Sequence, residues 1–480
     1  MTFNPFASAT DMLRAMQKKE ISSVELLESH LRRIELHNPT LNSIVTLDVE
    51  AALRAAKQAD DALARGDHRE LTGLPLTIKD CIDVHGLIGT GGIEQFAHRV
   101  PDDDSRLAAR VRAAGGVIMG KTNVPPNAAD WQSDNPIFGR TNNPWNLGCS
   151  PGGSTGGGAA ALAAGLTPLE FGSDIGGSIR IPAAFCGVFG HKPSETAIPR
   201  SGHFPGSPHP NAAAVMCVQG PLARTVGDLE LAFDVVSGPD VGEDAAWNLA
   251  VPPPRHDHLA AFRVAILPTI PWLPVDDEIT ATVENLAAEL SKAGAQIKII
   301  QPDGFGDLRR HHELYCCLLS VWSSINSSES RKQHLAENMR KSDEFGEFYA
   351  RGLLASASEY LVWHAEREDL RRSFREFFSE WDVMLAPNNI VPPFPHTKAP
   401  WPDRWLNVNG HQVQYGLQNV YPAVATLSGQ PATAFPVSLN DSGLPVGLQA
   451  IGPYLEDRTT IRFAALIESE FGGFHPPPGY

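Results

Sequence analysis

SPGGSTGGG at residues 150–158 and GSDIGGSIR at residues 172–180 decide how this chain is read. Each run sets a serine among glycines, and no histidine lies between them. Glycine-rich turns of this kind suit a loop that needs unusual backbone angles. TGGGAAALAAGL at residues 155–166 is made of the smallest residues and suits a helix packed close against its neighbours. A tight turn followed by such a helix would also account for one run taken alone.

Gly152, Ser154 and Gly156 satisfy G-x-S-x-G, the nucleophile elbow of α/β-hydrolases. That motif expects a strand just before it and a histidine late in the chain. Here NNPWNLGCSPGG at 142–153 holds two prolines, and His475, the sole histidine after His411, lies in a proline-rich tail. The elbow reading fits poorly. In the second run Ser178 follows Ile175, Gly176 and Gly177, whose successive N–H groups can converge on a developing oxyanion. Asp174 and Arg180 flank that loop with opposite charges and are expected to pin it. Which group would take the proton of an attacking serine is left open by these residues alone.

Working outward, LPLTIKD at 74–80 and GVIMGK at 116–121 read as short apolar strands, FRVAIL at 262–267 as a buried strand, and QIKII at 296–300 as a further strand. Leu107 and Val111 mark a helix before the second. Ile279, Val283, Leu286 and Leu290 form a helical stripe that Gly294 ends. This β-α-β succession predicts a layered α/β fold. Near the start, Ser22 and Glu25 form a capping box before a helix that Pro39 is expected to stop, and an alanine-rich helix follows from about 49 to 63. Residues 1–65 therefore read as a helical arm. VPPPR at 251–255 is a stiff joint. From about 301 to 378 the chain turns helical and charged. There Leu370, Phe374, Phe377, Phe378 and Trp381 form an apolar face, with Arg367, Arg371 and Arg375 expected in solvent.

Composition excludes several classes. Over 480 residues, 39 Lys and Arg face 55 Asp and Glu, for a net charge of −16, and no basic run could track phosphates. Direct nucleic-acid binding is not expected. The six cysteines form no CxxC pair, which suits reduced thiols in a cytoplasmic protein. The first residues show no signal-peptide pattern, and no apolar run is long enough to span a membrane.

The chain resembles the amidase signature family of serine hydrolases. The likeness rests on GLPLTIKD, NPWNLGCSPGGSTGGGAAALAAGL, GSDIGGSIRIPAAFCGVFGHKP, GPLARTVGDLE and LSGQPATAFPVSLNDSGLPVGLQAIGPYLEDRTTIRFA. These blocks keep the family's order across most of the chain. The resemblance implies a single amidase domain over residues 1–480, with a signature core at 70–235 and a variable helical region at 240–400. Its fold is a mixed central β-sheet covered by α-helices, and a homodimer is expected. It also implies Ser178 as nucleophile, Ser154 as bridging serine after a cis peptide, and Lys79 as base. The N–H groups of Ile175, Gly176, Gly177 and Ser178 would form the oxyanion hole. No metal or cofactor is implied.

Such chemistry is physically sensible, because a serine hydroxyl attacks well only when a base takes its proton. A lysine can serve only if burial lowers its pKa. The implied activity is hydrolysis of a small-molecule carboxylic amide through an acyl-enzyme, with esters, anilides and carbamates within reach. Two rivals are the glutaminase-type subunit of a tRNA-dependent amidotransferase, and an inactive binding scaffold. The first usually has glutamine where Ile181 follows Arg180; the second conflicts with the three catalytic residue types being present. The chain departs from the family at residues 127–131, where NAADW stands for the common FAMGS run. Ala129, Asp130 and Trp131 are thus expected to shape the acyl side of the cleft, with Thr155 also assigned to substrate binding. His191, unusual before Lys-Pro, is read as a satisfied core or supporting histidine. His311 and His312, being adjacent, point apart and do not make a metal site.

Overall fold

The short apolar runs become strands of one sheet in the computed structural model, which describes residues 4–204, 215–267, 269–300 and 308–480. In chain order these are β1 (Ile44–Leu47), β2 (Pro75–Lys79), β3 (Val117–Thr122), β4 (Leu169–Asp174), β5 (Phe189–Lys192) and β6 (Val218–Ala223). Then come β7 (Arg263–Ile266), β8 (Gln296–Ile299), β9 (Val383–Pro387), β10 (Ala432–Leu439) and β11 (Pro445–Ile451). They lie in the order β1-β3-β2-β4-β6-β5-β10-β11-β9-β7-β8. β2 runs parallel to β3 and β4, and β7 to β8 and β9, while the other neighbours are antiparallel. Every residue of β2, β3 and β4 is buried. Strands covered on both faces need continuous rather than alternating apolar residues, which is how LPLTIK and GVIMGK read. The fold is thus mixed α/β with helices over a large central sheet.

Three local expectations change. Pro39 does not stop its helix, which runs Ser23–Leu41 and turns at Asn42 in the left-handed conformation (φ +52°). A proline in the last turn removes only one helical hydrogen bond, and Asn38 Oδ1 accepts from the N–H groups of Ser43 and Ile44 to redirect the chain. The first 65 residues are not all helical, because β1 pairs with β3 as an edge strand. Arg367 is not in solvent. The helix Ala357–Glu380 packs on Val420–Ser428, so Arg367 is buried, donates to Leu427 O at 2.7 Å and pairs with Glu195. Arg371 lies over the Tyr454 ring, and Arg375 is exposed.

β7, β8 and β9 extend the same sheet from within the 240–400 stretch. The expectation of helix from residue 301 holds from Leu308 onward, and 301–307 fall outside the described residues. All six cysteines are free and buried. Among the described residues no helix is long and apolar enough to cross a membrane.

Candidate active site

Lys79 closes β2, with Thr122 of β3 as its register partner and β4 on the other side. Its side chain is wholly buried, and Nζ lies 2.7 Å from Ser154 Oγ and 3.0 Å from Ser173 Oγ. Burial pushes its pKa below the ordinary lysine value, against the opposing pull of Cys81, Cys217, Asp174 and Glu170. Lys121 and Lys192 are equally buried, but their ammonium groups serve backbone carbonyls. Lys121 donates to Ile82 O; Lys192 donates to Gln430 O at 2.6 Å and Pro193 O at 3.0 Å. Neither touches Ser154.

Behind Lys79, the buried Glu170 carboxyl of β4 accepts from Thr77 Oγ1 at 2.5 Å and Thr122 Oγ1 at 2.7 Å. Burial raises its pKa to about 7.

Ser154 sits on the turn leading into the helix Gly156–Ala163, and the Gly153–Ser154 peptide is cis. The turn admits no side chain at its glycines. Gly152 has φ +81°, and a Cβ there would lie 2.8 Å from Pro182 Cα; one on Gly153 would collide with Asp130 O. No named strand occupies 142–153, so the geometry of a nucleophile elbow is not met.

Ser178 lies on the loop after β4. Asp174 accepts from the N–H groups of Gly177 and Ile179, both at 3.0 Å, and from Arg180 through Nε (3.0 Å) and a terminal nitrogen (2.9 Å). Burial alone would raise the Asp174 carboxyl, but Arg180 and these donors hold it at about 2. Arg180, fully buried, also donates to Pro422 O, Thr426 Oγ1 and Gln449 Oε1. The flanking pair therefore pins the loop.

One expected donor is lost by this arrangement. The Gly177 N–H is turned to Asp174, leaving the amides of Ile175, Gly176 and Ser178 without an acceptor among the described residues. Lys79–Ser154 is at hydrogen-bond distance, whereas Ser154–Ser178 is not a hydrogen bond here. Catalytic contacts of this sort often tighten only with substrate in place.

Ser154, Ser173 and Ser178 open on one cavity of about 220 Å³. Ala129, Asp130 and Trp131 line it; Thr155 does not. Thr155 is buried behind the serines, with its N–H donating to Ser178 O at 3.1 Å. Asp130 presents no free charge, because Arg404 pairs with it at 2.6 Å and Tyr415 donates to it at 2.8 Å. Trp131 packs against Trp401 and Tyr415, with ring centroids 5.4 Å apart in each case.

Much of the remaining wall was not singled out from sequence: Phe204, Tyr315, Leu319, Trp322, Trp401 and Asn419. Tyr315, Leu319 and Trp322 share a face of the helix Leu308–Ser323 at i, i+4 and i+7, a periodicity legible in sequence although its target was not. Asn419 donates to the Tyr349 hydroxyl at 3.0 Å, while its own Oδ1 is buried without a partner among the described residues.

His191 is a satisfied core histidine, with Nδ1 2.9 Å from Thr433 Oγ1 and Nε2 3.1 Å from Asp457 Oδ1. His311 and His312 are buried on the Leu308–Ser323 helix. Among the described residues no group of His, Cys, Asp and Glu is placed to hold a metal ion.

Comparison with known proteins places the chain in a family. The family model described as Amidase matches residues 25–461. An indoleacetamide hydrolase of Bradyrhizobium diazoefficiens is 32% identical, over 97% of this chain and 86% of its own. A glutamyl-tRNA(Gln) amidotransferase subunit of Chromobacterium violaceum is 31% identical, over 95% of this chain and 96% of its own. Among solved structures, a bacterial aryl acylamidase of the amidase signature family superposes with a TM-score of 0.82 at 25% identity, covering 99% of each chain.

Proposed function

The chain belongs to the amidase signature family, whose enzymes hydrolyse C–N amide bonds, and from that premise we propose that it is a stand-alone amidase acting through Ser178, Ser154 and Lys79. The observation that carries this reading is the buried Lys79 amine 2.7 Å from Ser154 Oγ, beneath a cavity that Ser178 also lines. In the neutral form Lys79 accepts the Ser154 proton as Ser154 accepts that of Ser178, whose Oγ attacks the substrate carbonyl carbon. The oxyanion so formed meets the amides of Ile175, Gly176 and Ser178. Lys79 then returns its proton through Ser154 to the leaving nitrogen, the C–N bond breaks, and the acyl group stays on Ser178. Water attacks this ester, its proton follows the same relay, and the acid leaves as Ser178 recovers its hydrogen. Nucleophile, base and oxyanion donors all come from the chain, so the scheme calls for no metal or cofactor.

The wall favours an aromatic or bulky acyl group, since six aromatic rings line it and its one charge among the described residues, Asp130, is already paired. The Asn419 oxygen would suit an N–H or O–H on that group. Anilides, esters and carbamates share the carbonyl chemistry and are included in the proposal. The identity with the amidotransferase subunit favours glutaminase activity within a complex as a second reading. Free glutamine would bring two opposite charges into this wall without an unpaired counter-charge, and Ile181 departs from that branch.

Purified protein tested alone on aryl amides, aliphatic amides, glutamine, esters and carbamates separates the readings. Turnover of aryl amides, with a fluorophosphonate adduct mapping to Ser178, is the expected result. Turnover of glutamine alone, and only with partner subunits present, would sink it.

A further inference from the structure

Tyr315 and Trp131 reach the loop of Ser178 from opposite chain segments, and each donates to a loop carbonyl. The Tyr315 hydroxyl donates to Ile175 O at 2.9 Å, and Trp131 Nε1 donates to Gly176 O, also at 2.9 Å. We infer that these two bonds set the peptide planes of the oxyanion loop, and that Tyr315 is the positioning residue that aims the Gly176 N–H. The inference rests on the acyl-transfer reading of Ser178.

The C=O and N–H of a trans peptide unit point in opposite directions. Among the described residues only Gly153–Ser154 is cis, so the units 175–176 and 176–177 are trans. Clamping Ile175 O toward Tyr315 therefore turns the Gly176 N–H away from it. The next unit is held at both ends, by Trp131 at Gly176 O and by Asp174 at the Gly177 N–H. Unit 175–176 is held only at its carbonyl end. Its N–H has no acceptor among the described residues and is left to a substrate oxyanion.

Rotation of that unit turns on the flanking angles, one of which belongs to glycine, so little in the backbone opposes it. Tyr315 supplies the opposition. Its ring is fully buried and stacks on His312, with centroids 5.5 Å apart, so the hydroxyl is held by a fixed ring. A buried hydroxyl needs some partner in any case; what matters is that this one takes the carbonyl of an oxyanion unit. Tyr315 also shares its helix face with Leu319 and Trp322, so one helix forms acyl wall and clamp together.

The test is Tyr315→Phe, which keeps the ring and removes only the donor, assayed on an aryl anilide beside wild type and Ser178→Ala. Removing an oxyanion donor outright costs about 10²–10³ in kcat. Misaiming one should cost roughly tenfold or more in kcat, with KM within about twofold. Affinity for an aryl trifluoromethyl ketone, whose serine adduct carries an oxyanion, should weaken in parallel. Trp131→Phe should lose less kcat, because Asp174 still holds its unit, and more KM, because the ring lines the cavity. Wild-type kcat and ketone affinity in a folded Tyr315→Phe, or a loss confined to KM, would overturn the inference. Full turnover in Ser178→Ala would instead overturn the reading beneath it.

Discussion

Lys79 Nζ stands 2.7 Å from Ser154 Oγ, and both side chains are closed off from solvent. Burial disfavours the ammonium form, so the neutral amine is populated at lower pH than for an exposed lysine. Activity should rise with pH through this lowered pKa, placing the optimum of kcat/KM on the alkaline side. Lys79→Ala should remove most activity and that rise together. An unchanged profile in Lys79→Ala would assign the base elsewhere.

The two serines should fail differently. Ser178→Ala should abolish turnover and covalent labelling, whereas Ser154→Ala should keep a small residual rate through an adduct still on Ser178. Their losses with Lys79→Ala should be strongly non-additive, the triple variant being little worse than Ser178→Ala. Intact mass and peptide mapping after a fluorophosphonate read this directly. An adduct on Ser154 in the wild type would reverse the roles.

Ala129 lies at the exposed edge of the cavity beside Asp130 and Trp131. Ala129→Met should slow bulky aryl amides several-fold more than acetamide-sized ones, mostly through KM. Equal effects on both would remove Ala129 from the substrate path.

Arg180→Met leaves the Asp174 carboxylate buried without its cation. Breaking one side of such a pair costs about 3–5 kcal/mol. Denaturant unfolding should show that loss, and kcat should fall with it because Gly177 and Ile179 hang on Asp174. Arg180→Lys should rescue little, since one ammonium cannot replace the fork. Wild-type stability in Arg180→Met would contradict the pinning role.

Glu170 offers a pH test of stability. Its folded pKa, about 7, lies above the roughly 4.3 of an unfolded glutamate. Its contribution is therefore full below about 4.3 and is lost as pH rises through about 7, a change of roughly 3–4 kcal/mol. Glu170→Gln cannot ionise and should lack that slope. Unfolding free energies of wild type and variant from pH 4.5 to 8 should diverge in slope; parallel curves would show that the buried carboxyl does not titrate as described.

The strands were legible because parallel strands buried on both faces are mainly apolar rather than alternating, as LPLTIK, GVIMGK and FRVAIL are. β1 and Arg367 were misread for the opposite reason. IVTL gains its strand partner only when β3 lies beside it. Arg367 belongs to a charged helix whose inward face is chosen by a helix some sixty residues away in sequence.

At the site, what the amino-acid sequence by itself determined was chemical type and order: glycine turns where a Cβ would collide, serines upon them, and a lysine ending an apolar strand. These are local properties, because steric exclusion and backbone freedom act within a few residues. Tertiary structure decided direction. It brought Lys79, and neither Lys121 nor Lys192, against Ser154. It also spent the Gly177 N–H on Asp174, turned Thr155 inward, paired Asp130 with Arg404, and delivered the Tyr315 hydroxyl to Ile175 O. Each outcome depends on which distant groups share a buried space. In such a space every donor must find its acceptor, a condition that no single stretch of sequence contains.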